Sequence, residues 1–342
     1  MKNRILYFDV LRILATFCII MIHVSGLYVT SEYGGVDFAF GAVLNSFARV
    51  GVPIFIMISG ANMLKESKQI ETKTFLKKYV VSVALILLFW SFFYVAVYEI
   101  FMPLVSDRIF SFKNVIEFFL LGHFHLWFLY MIIGLYLLTP VLKLFVKKEN
   151  KTKVLYLIGV LVIFAFVPET LSLFDNEYIN IVVELFESFK IPMGYLAYYL
   201  IGWYLSQFEL ENRTNKVFTI LGVISVAGTI VTTIFYHEKM SIYVNVQLTV
   251  LFASVWVFVL FKDIFKKQEN EKLCKISEKL SKLTFGAYLT HILFITACTL
   301  IIPESLFAPI RLIIIYIITT VASFTASFVI SKIPYVKTLV RG

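Results

Sequence analysis

Charge is scarce in this sequence. Asp, Glu, Lys and Arg make up only 15% of its 342 residues, where a soluble domain carries about 25%. That shortfall excludes a solvated globular enzyme, a disordered chain and a repeat fibre. Cysteine is scarcer still, with Cys18, Cys274 and Cys298 alone. Their number is odd, none stands in a Cys-x-x-Cys pair, and two fall inside apolar runs. Neither a disulfide framework nor a zinc site is expected. A cleavable signal peptide is missing too. The first apolar run, from Ile13 onward, leads into a full-length span with no small-residue cleavage site. No low-complexity linker or internal repeat stands out.

What fills the chain is apolar. Hydrophobic residues are 60% and aromatics 17%, and the mean hydropathy is +0.86. Runs of spanning length fall at 6–29, 39–64, 75–101, 123–146, 152–169, 190–208, 216–236, 241–264, 282–303 and 307–331. Ten helices of about 22 residues use roughly 220 positions, which fits the length. Continuous rather than alternating runs exclude a β-barrel. The fifth run is short and the sixth is interrupted by Pro192 and Gly194. The expected fold is all-α: a polytopic membrane helical bundle of about ten transmembrane helices, one domain over 1–342, with both termini cytoplasmic.

Basic residues set the orientation. With the N-terminus inside, 24 of the 31 Lys and Arg fall on inner segments: Lys2 and Arg4, five Lys from Lys65 to Lys78, five from Lys143 to Lys153, Arg213 and Lys216, seven Lys from Lys262 to Lys282, and Lys332, Lys337 and Arg341. Only Arg108, Lys113, Lys190 and Lys239 fall outside. This is a strong positive-inside pattern that supports an even number of spans with both ends inside; a multi-pass protein of the plasma membrane is expected. The net charge of +9 is thereby assigned to membrane lipid, and no nucleic acid partner is expected. The outer segments are acidic, with Glu32, Asp37, Asp107, Glu117, Glu169, Asp175, Glu177, Glu184, Glu187, Glu238 and Glu304. A short amphipathic helix is expected from Ile179 to Phe189.

Ionisable groups inside spans are costly and mark function by default. The first span has three: Asp9, Arg12 and His23. Eleven residues separate Arg12 from His23, which is three turns plus about 20° and a rise of roughly 16 Å. They share a face, and Asp9 joins the same stripe three residues earlier. Two readings fit: a charge pair below a functional imidazole, or a snorkelling pair below a packing histidine. The second span carries Arg49, then Gly51-Val52-Pro53 and Ser59-Gly60. A Gly-x-Pro step predicts a bent or broken helix, and Arg49 falls at a depth similar to His23. The fourth span opens with His123, His125 and Trp127, a substrate site or an aromatic belt. His-x-His lacks a nearby third ligand, so no metal is expected. The ninth span holds Ser281, Gly286, Tyr288 and His291, and a mid-membrane His291 needs a partner. His237 reads as solvated loop; Glu99, Glu304 and Arg311 read as interfacial charges near outer span ends.

These motifs together resemble the acyltransferase-3 family of integral membrane acyltransferases, whose O-acetyltransferase members modify cell-surface glycans. Phe8-Asp9-x-x-Arg12 followed by His23 is similar to its first-helix motif, and Gly51-Val52-Pro53-x-Phe55 with Ser59-Gly60 to its second. His125-Leu126-Trp127-Phe128-Leu129 with Tyr136 and Pro140 is similar to a third, and Tyr288-Leu289-x-His291 to a late one. The four stand in order across nearly the whole chain. One departure is the loop after the second span: many members carry arginines there, and this chain has Lys73, Lys77 and Lys78. A point charge replaces a bidentate fork.

The resemblance implies acyl transfer from cytosolic acyl-CoA, usually acetyl-CoA, to a hydroxyl of a cell-surface glycan or glycolipid, with no permanently bound cofactor. The chain ends at Gly342 just after its last span, so no fused extracellular domain is expected. Such chemistry needs a base for the hydroxyl and a stabiliser for the tetrahedral oxyanion. His23 is the candidate base or acyl carrier, with Asp9 orienting Arg12. Arg12, Ser59, Lys77 and Lys78 are candidates for the donor, since guanidinium and ammonium suit its phosphates. Arg49, His125, Trp127, Tyr288 and His291 are candidates for the substrate. The gap between Arg12 and His23, roughly 16 Å, is comparable to a pantetheine arm. Broken helices and buried charges also suit a transporter or flippase of a glycan, lipid or small molecule. Against that, no inverted repeat is visible.

Overall fold

The computed structural model describes residues 5–29, 34–68, 70–101, 111–174, 176, 178–180, 183, 194–236, 244–268, 270–334 and 336–340. Lys2, Arg4, Glu32, Asp107, Arg108, Asp175, Glu177, Glu184, Glu187, Lys190, Pro192, His237, Glu238, Lys239 and Arg341 lie outside them, as does most of the helix expected at Ile179–Phe189. No strand occurs among the described residues. Nine of their helices are long and apolar enough to cross a membrane. The protein is a polytopic helical membrane bundle.

The helices are α1 (Leu6–Gly26), α2 (Gly35–Ala48), α3 (Gly51–Met63), α4 (Thr72–Phe101), α5 (Phe112–Leu121), α6 (Trp127–Phe145) and α7 (Lys148–Leu171). After these come α8 (Gly194–Gln207), α9 (Asn212–Tyr236), α10 (Leu248–Phe265), α11 (Glu271–Ser281), α12 (Thr284–Ile301) and α13 (Ala308–Lys332). Together α2 and α3 make one crossing, Gly35–Met63, interrupted at Arg49 and Val50. The Gly-x-Pro step is the physical cause. Pro53 has no N–H to offer the carbonyl of residue 49, and α3 restarts when the Ile54 amide donates to Val50 O at 3.0 Å. The described part of the sixth expected span, α8, has 14 residues.

Apolar residues point outward in stripes. On α13, Ile310, Ile313, Ile317 and Val321 recur every three or four residues and are exposed, the face that meets lipid. Inside, small and polar residues hold helices together, because lipid removes the hydrophobic drive between them. Asn45 Nδ2 of α2 donates to Ile22 O and Ser25 Oγ of α1, at 3.1 and 3.0 Å. Ser46 Oγ of α2 meets Thr233 Oγ1 of α9 at 3.0 Å. α3 and α8 touch backbone to backbone: a Cβ on Gly60 would stand 1.8 Å from Tyr199 O, and one on Gly202 would stand 2.0 Å from Met57 O. α1 is the central element, packed against α2, α3, α10, α11, α12 and α13.

Three sequence expectations change. Glu99 and Arg311 are not interfacial; they are 5% and 4% exposed. Arg311 donates to Tyr28 OH (3.2 Å) and Ile302 O (3.3 Å), so buried oxygens replace its water. Ser281 is not in the ninth span; it ends α11, a separate helix capped by Asn270, whose Oδ1 accepts from the Leu273 amide. α11 is amphipathic, with Lys272, Lys275 and Lys279 exposed and Ser277 and Ser281 turned onto the bundle. It has the pattern of a helix lying at the membrane surface.

Candidate active site

α1 carries the site along one face. Near its start the Arg12 guanidinium pairs with Asp9 Oδ1 at 3.2 Å. Asp9 is 2% exposed, and the same Oδ1 accepts a second hydrogen bond from Ser281 Oγ at 2.8 Å. A buried carboxylate is tolerable because both donors are fixed. Arg12 keeps 29% of its side-chain surface, so it is paired yet reachable.

Three turns up α1, His23 enters a cluster of histidines from three elements. Its ring lies 5.0 Å from that of His291 on α12 and 5.4 Å from Phe124. His291 lies 5.4 Å from His125, and His125 Nδ1 meets His123 Nδ1 at 2.9 Å. Gly122 makes this possible locally. Its φ of +72° is the left-handed region that side chains rarely adopt. It turns the chain out of α5 into a single 3-10 turn, Phe124–Leu126, that delivers both histidines inward. His123, His125 and His291 are buried, His23 is half-buried, and Phe124 at the rim is 61% exposed. The cluster therefore lies just beneath an accessible edge of the bundle.

The break between α2 and α3 supplies the cation. Gly51 lets α3 start against α1, since a Cβ there would stand 2.8 Å from Cys18 Cβ. Arg49 at the break is within electrostatic reach of His23 and of Tyr195. Its Nε is buried without a hydrogen-bond partner, and it has no ion pair, among the described residues. A half-buried guanidinium left without a counter-ion beside imidazoles is suited to an oxyanion or an anionic substrate group.

Other expected residues take supporting places. Tyr288 is buried and its hydroxyl donates to His125 O at 2.6 Å, bracing the 3-10 turn against α12. Trp127 is half-buried, its ring 5.5 Å from Tyr195. Ser59 Oγ meets Tyr136 OH at 3.0 Å, and Tyr136 is within reach of the Arg12 charge. Lys77 and Lys78 are exposed on α4, with Lys78 5.3 Å over the Tyr79 ring.

Sequence reasoning overlooked Lys68, Tyr79 and Lys143. Lys68 Nζ lies 4.4 Å over the Tyr79 ring, and Lys143 Nζ donates to Lys68 O. A cavity of about 660 Å³ opens beside them at the lysine-rich end, lined by Lys65, Phe75, Lys143 and Lys147 among others. Phase along α6 was the available signal: Tyr136, Pro140 and Lys143 are spaced by four and three, one helical face. Phe75 links this cavity inward, its ring 6.4 Å from Tyr136. No group of three or more His, Cys, Asp or Glu able to hold a metal occurs among the described residues.

No curated protein and no solved structure matches this chain. A family model described as an acyltransferase domain matches residues 5–332. The match embraces α1 with its Asp9–Arg12 pair, the broken α2–α3 crossing and the whole histidine cluster, and the chain belongs to the acyltransferase-3 family of membrane acyltransferases.

Proposed function

We propose that this membrane acyltransferase moves an acyl group, acetyl or succinyl, from cytosolic acyl-CoA to a hydroxyl of an extracytoplasmic glycan or glycolipid at the plasma membrane. The observation that carries the reading is the arrangement on α1: a paired but reachable Arg12 near one end, and His23 in a histidine cluster near the other.

The donor's anionic end binds where the lysines gather. Lys68 and Lys78 lie over the Tyr79 ring and Lys143 bonds the Lys68 carbonyl, and Arg12 is within electrostatic reach of Tyr136 further in. Guanidinium and ammonium donors suit phosphate. The extended arm of the donor runs past Ser59 and Tyr136 and brings the thioester to His23. There the imidazole is the base for the hydroxyl or a transient acyl carrier. Arg49, held without a counter-ion, stabilises the negative oxygen of the tetrahedral intermediate. His125, Trp127 and the exposed Phe124 edge face the acceptor.

The test uses purified protein in detergent with radiolabelled acetyl-CoA and succinyl-CoA. CoA release that depends on both His23 and Arg12 is the expected result. A wild type that neither binds nor cleaves either donor, yet moves a glycolipid across vesicles without acyl-CoA, overturns the reading in favour of a transporter.

A further inference from the structure

His291 is held in one tautomer. Its Nδ1 lies 2.5 Å from the carbonyl oxygen of Tyr288, one turn earlier on α12. A carbonyl only accepts, so Nδ1 carries the hydrogen and Nε2 keeps its lone pair. Nε2 is buried and has no hydrogen-bond partner among the described residues. It lies on the far side of the ring from the tethering carbonyl, and the ring is 5.0 Å from that of His23. A buried, unsatisfied acceptor is costly unless a ligand uses it. His125 offers no such definition. Its Nδ1 is engaged with His123 Nδ1 at 2.9 Å, and either of the two can be the donor.

A nucleophile, a base beside it and a third group orienting the base form the arrangement of covalent catalysis. We propose that His23 carries the acyl group and that His291, oriented by the Tyr288 carbonyl, is its base. In the first half, a nitrogen of His23 attacks the thioester carbon and the C–S bond breaks. The ring proton of His23 passes through His291 Nε2 to the departing thiolate, leaving neutral thiol and N-acyl imidazole. In the second half, the acceptor hydroxyl attacks that acyl carbon and the N–C bond breaks. The hydroxyl proton passes to His291 Nε2 and then to the released nitrogen of His23, so both rings return neutral. The remaining ring nitrogen of an acylated His23 is weakly basic and points away from the acyl carbon, which is why a second imidazole takes the hydroxyl proton.

This assignment rests on the acyltransferase reading. The test uses inverted membrane vesicles containing the full chain and its native acceptor, supplied with radiolabelled acetyl-CoA. His291→Gln is expected to lower the turnover rate about a hundredfold while the Kd for acetyl-CoA stays within about twofold of wild type, by the scale of an unchanged donor site. Imidazole added to His291→Ala is expected to restore part of the rate, which separates lost chemistry from misfolding. Wild-type protein purified from acceptor and mixed with acetyl-CoA for a single turnover is expected to carry label on the peptide containing His23. Turnover of His291→Gln within threefold of wild type overturns the proposal. So does a raised Kd with unchanged turnover, or transfer without labelled protein. A wild type that cleaves no acyl-CoA overturns the acyltransferase reading itself, an outcome separate from these.

Discussion

Ser281 Oγ donates to Asp9 Oδ1 at 2.8 Å, joining residues 272 positions apart in the chain. The contact ties the surface helix α11 to the base of α1, and Asp9 in turn holds Arg12. Ser281 touches no proposed substrate atom; its effect passes through Asp9. Ser281→Ala is therefore expected to raise the KM for acyl-CoA by about tenfold, the worth of one hydrogen bond to a charged group, with kcat unchanged. Steady-state kinetics at varied donor separates this from a folding defect, and Ser281→Thr should recover part of the loss.

Removing His23 should end transfer altogether. His23→Ala is expected to leave insertion and thermal stability near wild type, because the side chain makes ring contacts rather than hydrogen bonds among the described residues. Surface acylation and CoA release are the readouts. Normal acylation in this variant would take His23 out of the mechanism.

Arg49→Gln is expected to lower kcat by about a hundredfold, the scale of one lost oxyanion donor. Acyl-CoA binding should persist if, as proposed, the lysines and Arg12 hold the donor's other end. Donor affinity and turnover measured on one preparation distinguish this from a role in donor capture.

The α3–α8 contact has no room for a methyl group. Gly60→Ala places a Cβ against the backbone oxygen of Tyr199, and Gly202→Ala one against Met57 O. Backbone cannot swing aside as a side chain can, so overpacking should cost about 1–3 kcal/mol. Thermal unfolding in detergent should show a lower Tm for each, with the double variant less than additive because both act on one interface.

A final prediction concerns acid. Partial burial raises the Glu209 carboxyl, but the hydrogen bond from Lys266 and the charge of Lys262 outweigh it and leave the group below its ordinary value. The stabilisation is present above the unfolded value of about 4.3 and is lost as pH falls through the lower folded one. Tm should stay flat from neutral pH down to about 5 and fall below about 4. Glu209→Gln should flatten that fall. Glu209 is exposed, so the amplitude is small.

Much of the site was legible because α1 carries it on one helical face. Asp9, Arg12 and His23 are in phase whatever the bundle does around them, and ions in an apolar span stand out against their neighbours. The break at Arg49 was legible as well, because proline removes a donor wherever it occurs in a helix. The partners were not. Ser281 meets Asp9, and His291 meets His23, across a separation of hundreds of residues. Lys68 and Lys143 read as ordinary members of basic loops in sequence; only the fold bonds Lys143 to the Lys68 carbonyl and lays Lys68 over Tyr79.

The sequence by itself determined the solvent, the number of apolar runs, the family and the single face of α1 that Asp9, Arg12 and His23 share. Each follows from local chemistry: hydropathy over twenty residues, spacing along one helix, motifs in order. Only the tertiary structure decided that Arg311 and Glu99 are buried, that Tyr288 braces a turn, and that His291 is locked by its own helix with a lone pair free. Whether a polar group keeps water or finds a partner depends on which helix packs against it. In a bundle where lipid favours no particular pairing, that choice rests on small-residue contacts such as Gly60 against Tyr199.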